Sequence, residues 1–298
     1  MSETAPGFIS HSLPSRGPLV ELIVRVFREK PLGAAGGTIC VAFLFCGVFA
    51  NVLAPYGAND TNVLNRLAPP SVEYLMGTDH VGRDVLSRIL IGAQLSMVVG
   101  FAAAALATLI SVLLGILSGY LKGWPDLVIQ RIVDAWMTFP GLVLLIVVIS
   151  IVGPGLPQII VILGLQYGIA GSRIVRGAVI SVREHMYIHA ARSIGAGTRH
   201  ILIRHVLPNI MPVVIVLFTT RVGAVILAEA GLSFLGLGVP PPHPTWGGML
   251  AGSGRDYMYV GPWLALAPGL CLTVVVFAVN IFGDALRDLL DPRMRGLR

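Results

Sequence analysis

Six apolar stretches, each within reach of the roughly 20 residues that a helix needs to cross a bilayer, constrain this chain more than anything else in it. In hydrocarbon the backbone must satisfy its own N–H and C=O groups, so each stretch is held to helix. They run over 32–53, 90–120, 127–152, 158–174, 210–230 and 262–282. Of the 298 residues 55% are hydrophobic and 12% charged, and the mean hydropathy is +0.82. Those values exclude a soluble globule. The second stretch is rich in Ala, Gly and Ser, which suits close helix packing in lipid. The third carries Arg131 and Asp134 and is expected to bend at Pro140.

The intervals alternate in charge. Residues 1–31 are Ser/Pro/Gly-rich and then basic (Arg25, Arg28, Lys30), with no small-residue cleavage site, so a cytoplasmic tail is expected rather than a removable signal peptide. With six spans, sixteen of the 21 basic residues fall on the side of the two termini. Four fall on the other side, and Arg221 lies within the fifth span. That asymmetry predicts cytoplasmic N- and C-termini. It also accounts for the net charge of +6 without any nucleic-acid partner. Cys40, Cys46 and Cys271 all sit inside apolar stretches, where thiols that pack are expected rather than a disulfide or a metal site.

The longest basic interval, Tyr187 to Asn209 (YIHAARSIGAGTRHILIRHVLPN), holds Arg192, Arg199 and Arg204 and follows Arg173, Arg176 and Arg183. Met186 to Ile194 reads as a short helix that Gly195 and Gly197 break. Helical character resumes over Arg199 to Val206, and Pro208 opens the fifth span. Ala190 and Ala191 leave one face of the short helix nearly bare, open to a partner surface. The order Ala190-Ala191, Gly195 after three intervening residues, then Leu207-Pro208 resembles the EAA loop of ABC importer permeases. The resemblance implies a coupling helix, within a loop spanning 183–208, that sits in a groove of a cytoplasmic ATPase. His189 stands where that family has Glu, which leaves the anchoring polar contact open.

Three further segments narrow the resemblance to the dipeptide, oligopeptide and nickel importer permeases, and within them to the C-type subunit. They are MGTDHVGRDVLSRILIGA (Met76 to Ala93), LSFLGLGVPPPHPTWGGML (Leu232 to Leu250) and NIFGDALRDLLDPR (Asn280 to Arg293). What this implies is an all-α membrane protein of six transmembrane helices with the type I ABC importer permease fold. The chain would divide into a tail (1–31), a first transmembrane helix (32–53) and an external loop with an amphipathic segment (54–89). A permease core (90–287) and a second tail (288–298) follow. Such a subunit lies in the bacterial inner membrane and pairs with a homologous permease as a heterodimer. It works with two cytoplasmic ATPase subunits and an extracytoplasmic binding protein, and carries no cofactor. Dipeptides or short oligopeptides are the implied substrates, with nickel or glutathione as the alternatives.

The residues give their own account of these segments. In the first, a turn at Gly77 precedes an amphipathic helix with Arg83, Asp84 and Arg88 on its polar side, expected along the outer membrane face. In the second, a proline-rich loop with Trp246 at the interface re-enters the bundle. In the third, Asp284, Arg287 and Asp291 have the spacing of a salt-bridged helix end. Arg221 is near mid-membrane, where an unpaired cation costs about 2.5–3.5 kcal/mol. It therefore meets either a substrate carboxylate or a structural partner. Glu229 is close enough to the outer interface to snorkel. Neither Lys30 nor Lys122 lies in a GxxxxGK[ST] motif, and there is no HExxH, so the chain supplies no ATPase or zinc-protease site of its own. A secondary transporter would need ion-coupling charges at mid-membrane, and only Arg221 qualifies.

Overall fold

The computed structural model describes residues 18–290, and among them every regular element is a helix. In chain order these are α1 (Pro18–Glu29), α2 (Pro31–Val48), α3 (Ala50–Leu53), α4 (Val85–Leu121), α5 (Trp124–Thr138) and α6 (Gly141–Val152). After them come α7 (Leu156–Arg183), α8 (Met186–Ser193), α9 (Thr198–Ile201), α10 (Leu207–Phe234), α11 (Trp246–Met249) and α12 (Trp263–Leu290). Five helices are long and apolar enough to cross a membrane, and α5 with α6 makes a sixth crossing if that pair is one span broken by 90°. The break falls at Phe139-Pro140, where proline removes a backbone donor and the residue before it is driven to extended backbone.

The centre of the bundle is the pair α4 and α7, which share the most extensive contact in the molecule. Close approach is what the small residues permit. A Cβ on Gly168 would sit 2.8 Å from Ile110 Cβ, and Ser111 Oγ donates to Gly168 O at 2.8 Å across the seam. Gly164 meets Leu106 and Gly119 meets Val179, so the two helices run parallel. The chain must therefore return between them, and α5–α6 is the segment that does so. Asp126 fixes α5 to α7 by a paired contact with Arg176 (2.7 and 2.6 Å), and Asp134 bonds Arg173. Helix α10 packs against α4 and α12, and α2 packs antiparallel on α12. Lys30 at the start of α2 pairs with Asp288 at the end of α12 (2.5 Å), so both described ends of the chain lie at the same end of the bundle as α8 and α9. Among the described residues no ion pair joins Asp284 to Arg287. Asp291 and Arg293 lie outside the described residues.

The opposite end is closed by residues 54–84 and 235–262, and here two expectations are corrected. Helix α4 is a single 37-residue rod of about 55 Å, longer than the hydrocarbon is thick. The segment at 83–88 is thus its N-terminal cap and first turn rather than a separate helix on the membrane face. Asp84 is its N-cap, accepting from Ser87 N (2.8 Å) and Ser87 Oγ (2.6 Å). Asp79 accepts from the backbone amides of Val81 and Arg83 through one oxygen (both 3.0 Å) and from Arg83 Nε through the other (2.7 Å). Trp246 is not an interfacial ring: it is fully buried, donates from Nε1 to Ile89 O (3.1 Å) and meets Phe43 edge-on. Its indole fills the space between α2, α4 and α10, so it pins the re-entrant loop down instead of anchoring it to headgroups.

Candidate functional site

At the other end, the chain from α7 to α10 makes a compact elbow. Helix α8 ends in a Schellman motif: Gly195 N donates to Arg192 O (2.9 Å) and Ala196 N to Ala191 O (3.0 Å). That closure needs a left-handed residue at Gly195, whose φ is +83°. Helix α9 then runs through a π turn (Leu202–Val206) into α10. The wide turn stands just before Pro208, which has no N–H to return to the preceding turn. Proline therefore lies inside a continuous 198–234 helix and does not open it.

The elbow has an inside and an outside. Ile188, Ala191, Ile201 and Val206 are buried together with Val179, Val182 and Ile210. Ala191 thus faces the chain's own core and Ala190 faces outward, which corrects the expectation of a bare two-alanine face. His189 and Pro208 are exposed and Leu207 is half-buried against the core. On the outside, Met186 and Ile194 are 88% and 86% exposed. Arg192, Arg199 and Arg204 of the same stretch are exposed too, and it carries a ring series His185–Tyr187–His205–His200 with centroids 5.5–6.1 Å apart. Two large apolar side chains this exposed beside cations form a surface suited to a partner.

Arg183, which reads in the sequence only as positive charge, holds the elbow in place. It is 4% exposed, and its Nη1 donates to the carbonyls of Gly119 (2.9 Å) and Tyr120 (3.1 Å). Those are among the last carbonyls of α4, which have no partner within their own helix. Its Nη2 reaches Glu184 (3.1 Å), which also pairs with Lys122 (3.2 Å), and Arg192 lies over the Tyr120 ring at 5.2 Å. The elbow is thereby fastened to the end of α4. Spacing along the chain carries no sign of this, because the two helices involved are more than 60 residues apart.

Deeper in the bundle Arg221 is half-buried with its guanidinium 5.2 Å from the centre of the Tyr167 ring. Its Nε has no hydrogen-bond partner, and among the described residues no carboxylate pairs with it. The aromatic face returns about 0.5–2 kcal/mol of the cost of placing a cation there. Tyr167 and Gln166, the latter held by Trp136 Nε1 (2.9 Å), line an open cavity of about 410 Å³ beside α10. Glu229 does not snorkel: it is fully buried, accepts from Ser233 Oγ (2.7 Å) and leaves Oε2 without a partner.

Residues 111–296 match the family model described as the binding-protein-dependent transport system inner membrane component, and 19–70 match the N-terminal transmembrane domain of oligopeptide transport permease C. The chain belongs to this permease family. It is therefore a transport subunit of the inner membrane. It is 39% identical, over 96% of each chain, to a putative peptide transport system permease protein of Brucella suis. A dipeptide transport system permease protein of Alkalihalophilus pseudofirmus is 39% identical over 90% of this chain and 88% of its own. A glutathione transport system permease protein of Pectobacterium atrosepticum is 38% identical over 91% and 90%. The inward-facing MetNI methionine ABC transporter shares the fold, with a TM-score of 0.55 at 20% identity, over 68% of this chain and 96% of that one.

Proposed function

We propose that this chain is the C-type permease of an ATP-driven importer of dipeptides or short oligopeptides. The observation that carries the proposal is the elbow at 183–208. Its interior is complete, while Met186 and Ile194 project outward among cations from a loop tied through Arg183 to α4. That is the arrangement expected of a surface through which an ATPase moves the bundle. The excess of basic residues at this end supports a cytoplasmic location for it and for both termini. Arg221, which no carboxylate pairs with among the described residues, supports a place for this residue on the translocation path, where five N–H donors meet a passing carboxylate. A heterodimer with a homologous permease, two ATPase subunits and an extracytoplasmic binding protein complete the machine. The peptide names of the relatives support the substrate class.

The test is uptake into vesicles that contain the permease pair and ATPases, with the binding protein added outside. Labelled dialanine should enter with ATP and not with a proton or sodium gradient alone. Entry driven by a gradient without ATP would overturn the proposal. Excess glutathione should compete only if the site serves that tripeptide as well.

A further inference from the structure

Between the closing segment at 77–88 and the loop at 236–253 lies a cavity of about 440 Å³, at the end of the bundle away from the elbow. Its wall includes Arg83, Arg88, His80 and His243, and among the described residues no acidic side chain lines it. Behind that wall two arginines share one carboxylate oxygen, while a second buried carboxylate, Asp84, caps α4. Both guanidinium groups approach one carboxylate oxygen, Asp79 Oδ2, with Arg83 Nε at 2.7 Å and Arg88 Nε at 3.9 Å, and Arg88 Nη1 also donates to Ala58 O (2.8 Å) and Asn59 Oδ1 (3.4 Å). Asp79 is 2% exposed and its other oxygen is taken by two backbone amides. The terminal nitrogens of Arg83 make no hydrogen bond among the described residues. His80 stacks on Tyr257 (5.4 Å) and leaves a buried Nδ1 without a partner. The opposite wall is Pro240, Pro241, Pro242 and Pro244, backbone that loses little freedom when a ligand binds.

We propose that this cavity binds the carboxylate of a small solute, with Arg83 as the principal donor and Arg88 and His80 beside it. A guanidinium with free N–H groups offers the paired geometry that a carboxylate accepts. The volume is within the usual range for small-molecule sites, about 300–1,000 Å³. On the peptide import proposed above, the carboxylate is a peptide C-terminus held before it enters the bundle.

The probe is trifluoroacetate, a bare carboxylate, read by ¹⁹F line broadening with the assembled importer in nanodiscs and the binding protein left out. Broadening should fall at least tenfold in Arg83→Gln. Because Arg83 also bonds Asp79, Ala251→Phe supplies a second variant, which fills the cavity from its rim and leaves that bond untouched; it should abolish the broadening. Dialanine should displace the probe and dialanine amide should not. Equal broadening in the wild type and Ala251→Phe would overturn the site, whatever vesicle uptake shows. Displacement by acetate but not by dialanine would uphold the carboxylate site and remove its link to peptide import.

Discussion

At one end of the bundle Thr78, Asp79, Asp84, Ser87, Thr245 and Trp246 are all 3% exposed or less, and hydrogen bonds within the chain tie each of them down. At the other end Met186 and Ile194 are almost fully exposed and the ion pairs of Lys122, Glu184 and Arg131 stand largely in the open. The first end has its polar interior tied down by the chain itself, beneath a rim on which Val72 (98%), Leu64 (95%) and Tyr259 (93%) stand exposed. The second has a finished interior, sealed by Ile188 and Val206, beneath an exterior that awaits another surface. A residue's value to the fold and its value to transport should therefore separate, and substitutions ranked by their effect on the folded permease test whether they do.

The largest loss should come from Trp246→Ala. Removing a fully buried indole that bonds Ile89 O and packs on Phe43 should cost about 3–5 kcal/mol. A fall in detergent Tm of several degrees checks it, and an unchanged Tm would show that the closed end is not self-supporting. Next is Arg183→Met, which leaves the Gly119 and Tyr120 carbonyls of α4 without their donor at about 1–3 kcal/mol. It should also unfasten the elbow, so ATPase turnover should persist while uptake falls. If uptake and turnover fall in proportion, Arg183 is only a fold residue.

How far the sequence revealed these features depends on the kind of signal each leaves. Hydropathy along the chain located the spans, and Pro140 located the break between α5 and α6, because both effects act within a few residues. Helix–glycine–helix was readable around Gly195 for the same reason. What escaped was the direction of single side chains. Ala191 and Ala190 are neighbours, yet one is buried and the other exposed, and Trp246 resembles an interfacial ring until α2 and α4 are placed around it. Arg83 and Arg88 read as headgroup partners because Asp79, the acid between them, becomes their neighbour only when the turn folds.

Gly195→Ala is a milder perturbation of the elbow. A Cβ meets nothing within 4 Å there, so the cost is the left-handed backbone alone, about 1–2 kcal/mol. Uptake should drop severalfold with little change in Tm. Gly195→Asn, which tolerates that conformation better, should recover part of it. Failure of Asn to outperform Ala would mean that the Schellman turn is not what matters at this position.

Arg221→Met reverses the usual sign. The guanidinium is half-buried with no carboxylate partner among the described residues, so an apolar side chain of similar length should leave Tm unchanged or raise it. Uptake should nevertheless be lost, with Arg221→Lys retaining only part because it keeps the charge and not the planar fork. A lower Tm or poorer pairing with the partner permease would instead make Arg221 a structural contact between subunits.

The smallest effect on the fold should belong to Ile194→Asp, and it is the sharpest test of the comparison between the two ends. Ile194 is 86% exposed and closes no cavity, so the substitution should lie within about 0.5 kcal/mol of neutral. It also adds a carboxylate close to the C-terminus of α8, where the helix dipole disfavours negative charge by a few tenths of a kcal/mol. If the outward face of the elbow meets an ATPase, the same change places a charge in an apolar contact and should weaken co-purification of that subunit at least tenfold. The isolated permease would then melt normally and transport nothing. Full ATPase association and full uptake with Ile194→Asp would leave the exposed face of α8 without a partner, and nothing would then set the elbow apart from the exposed rim of the other end.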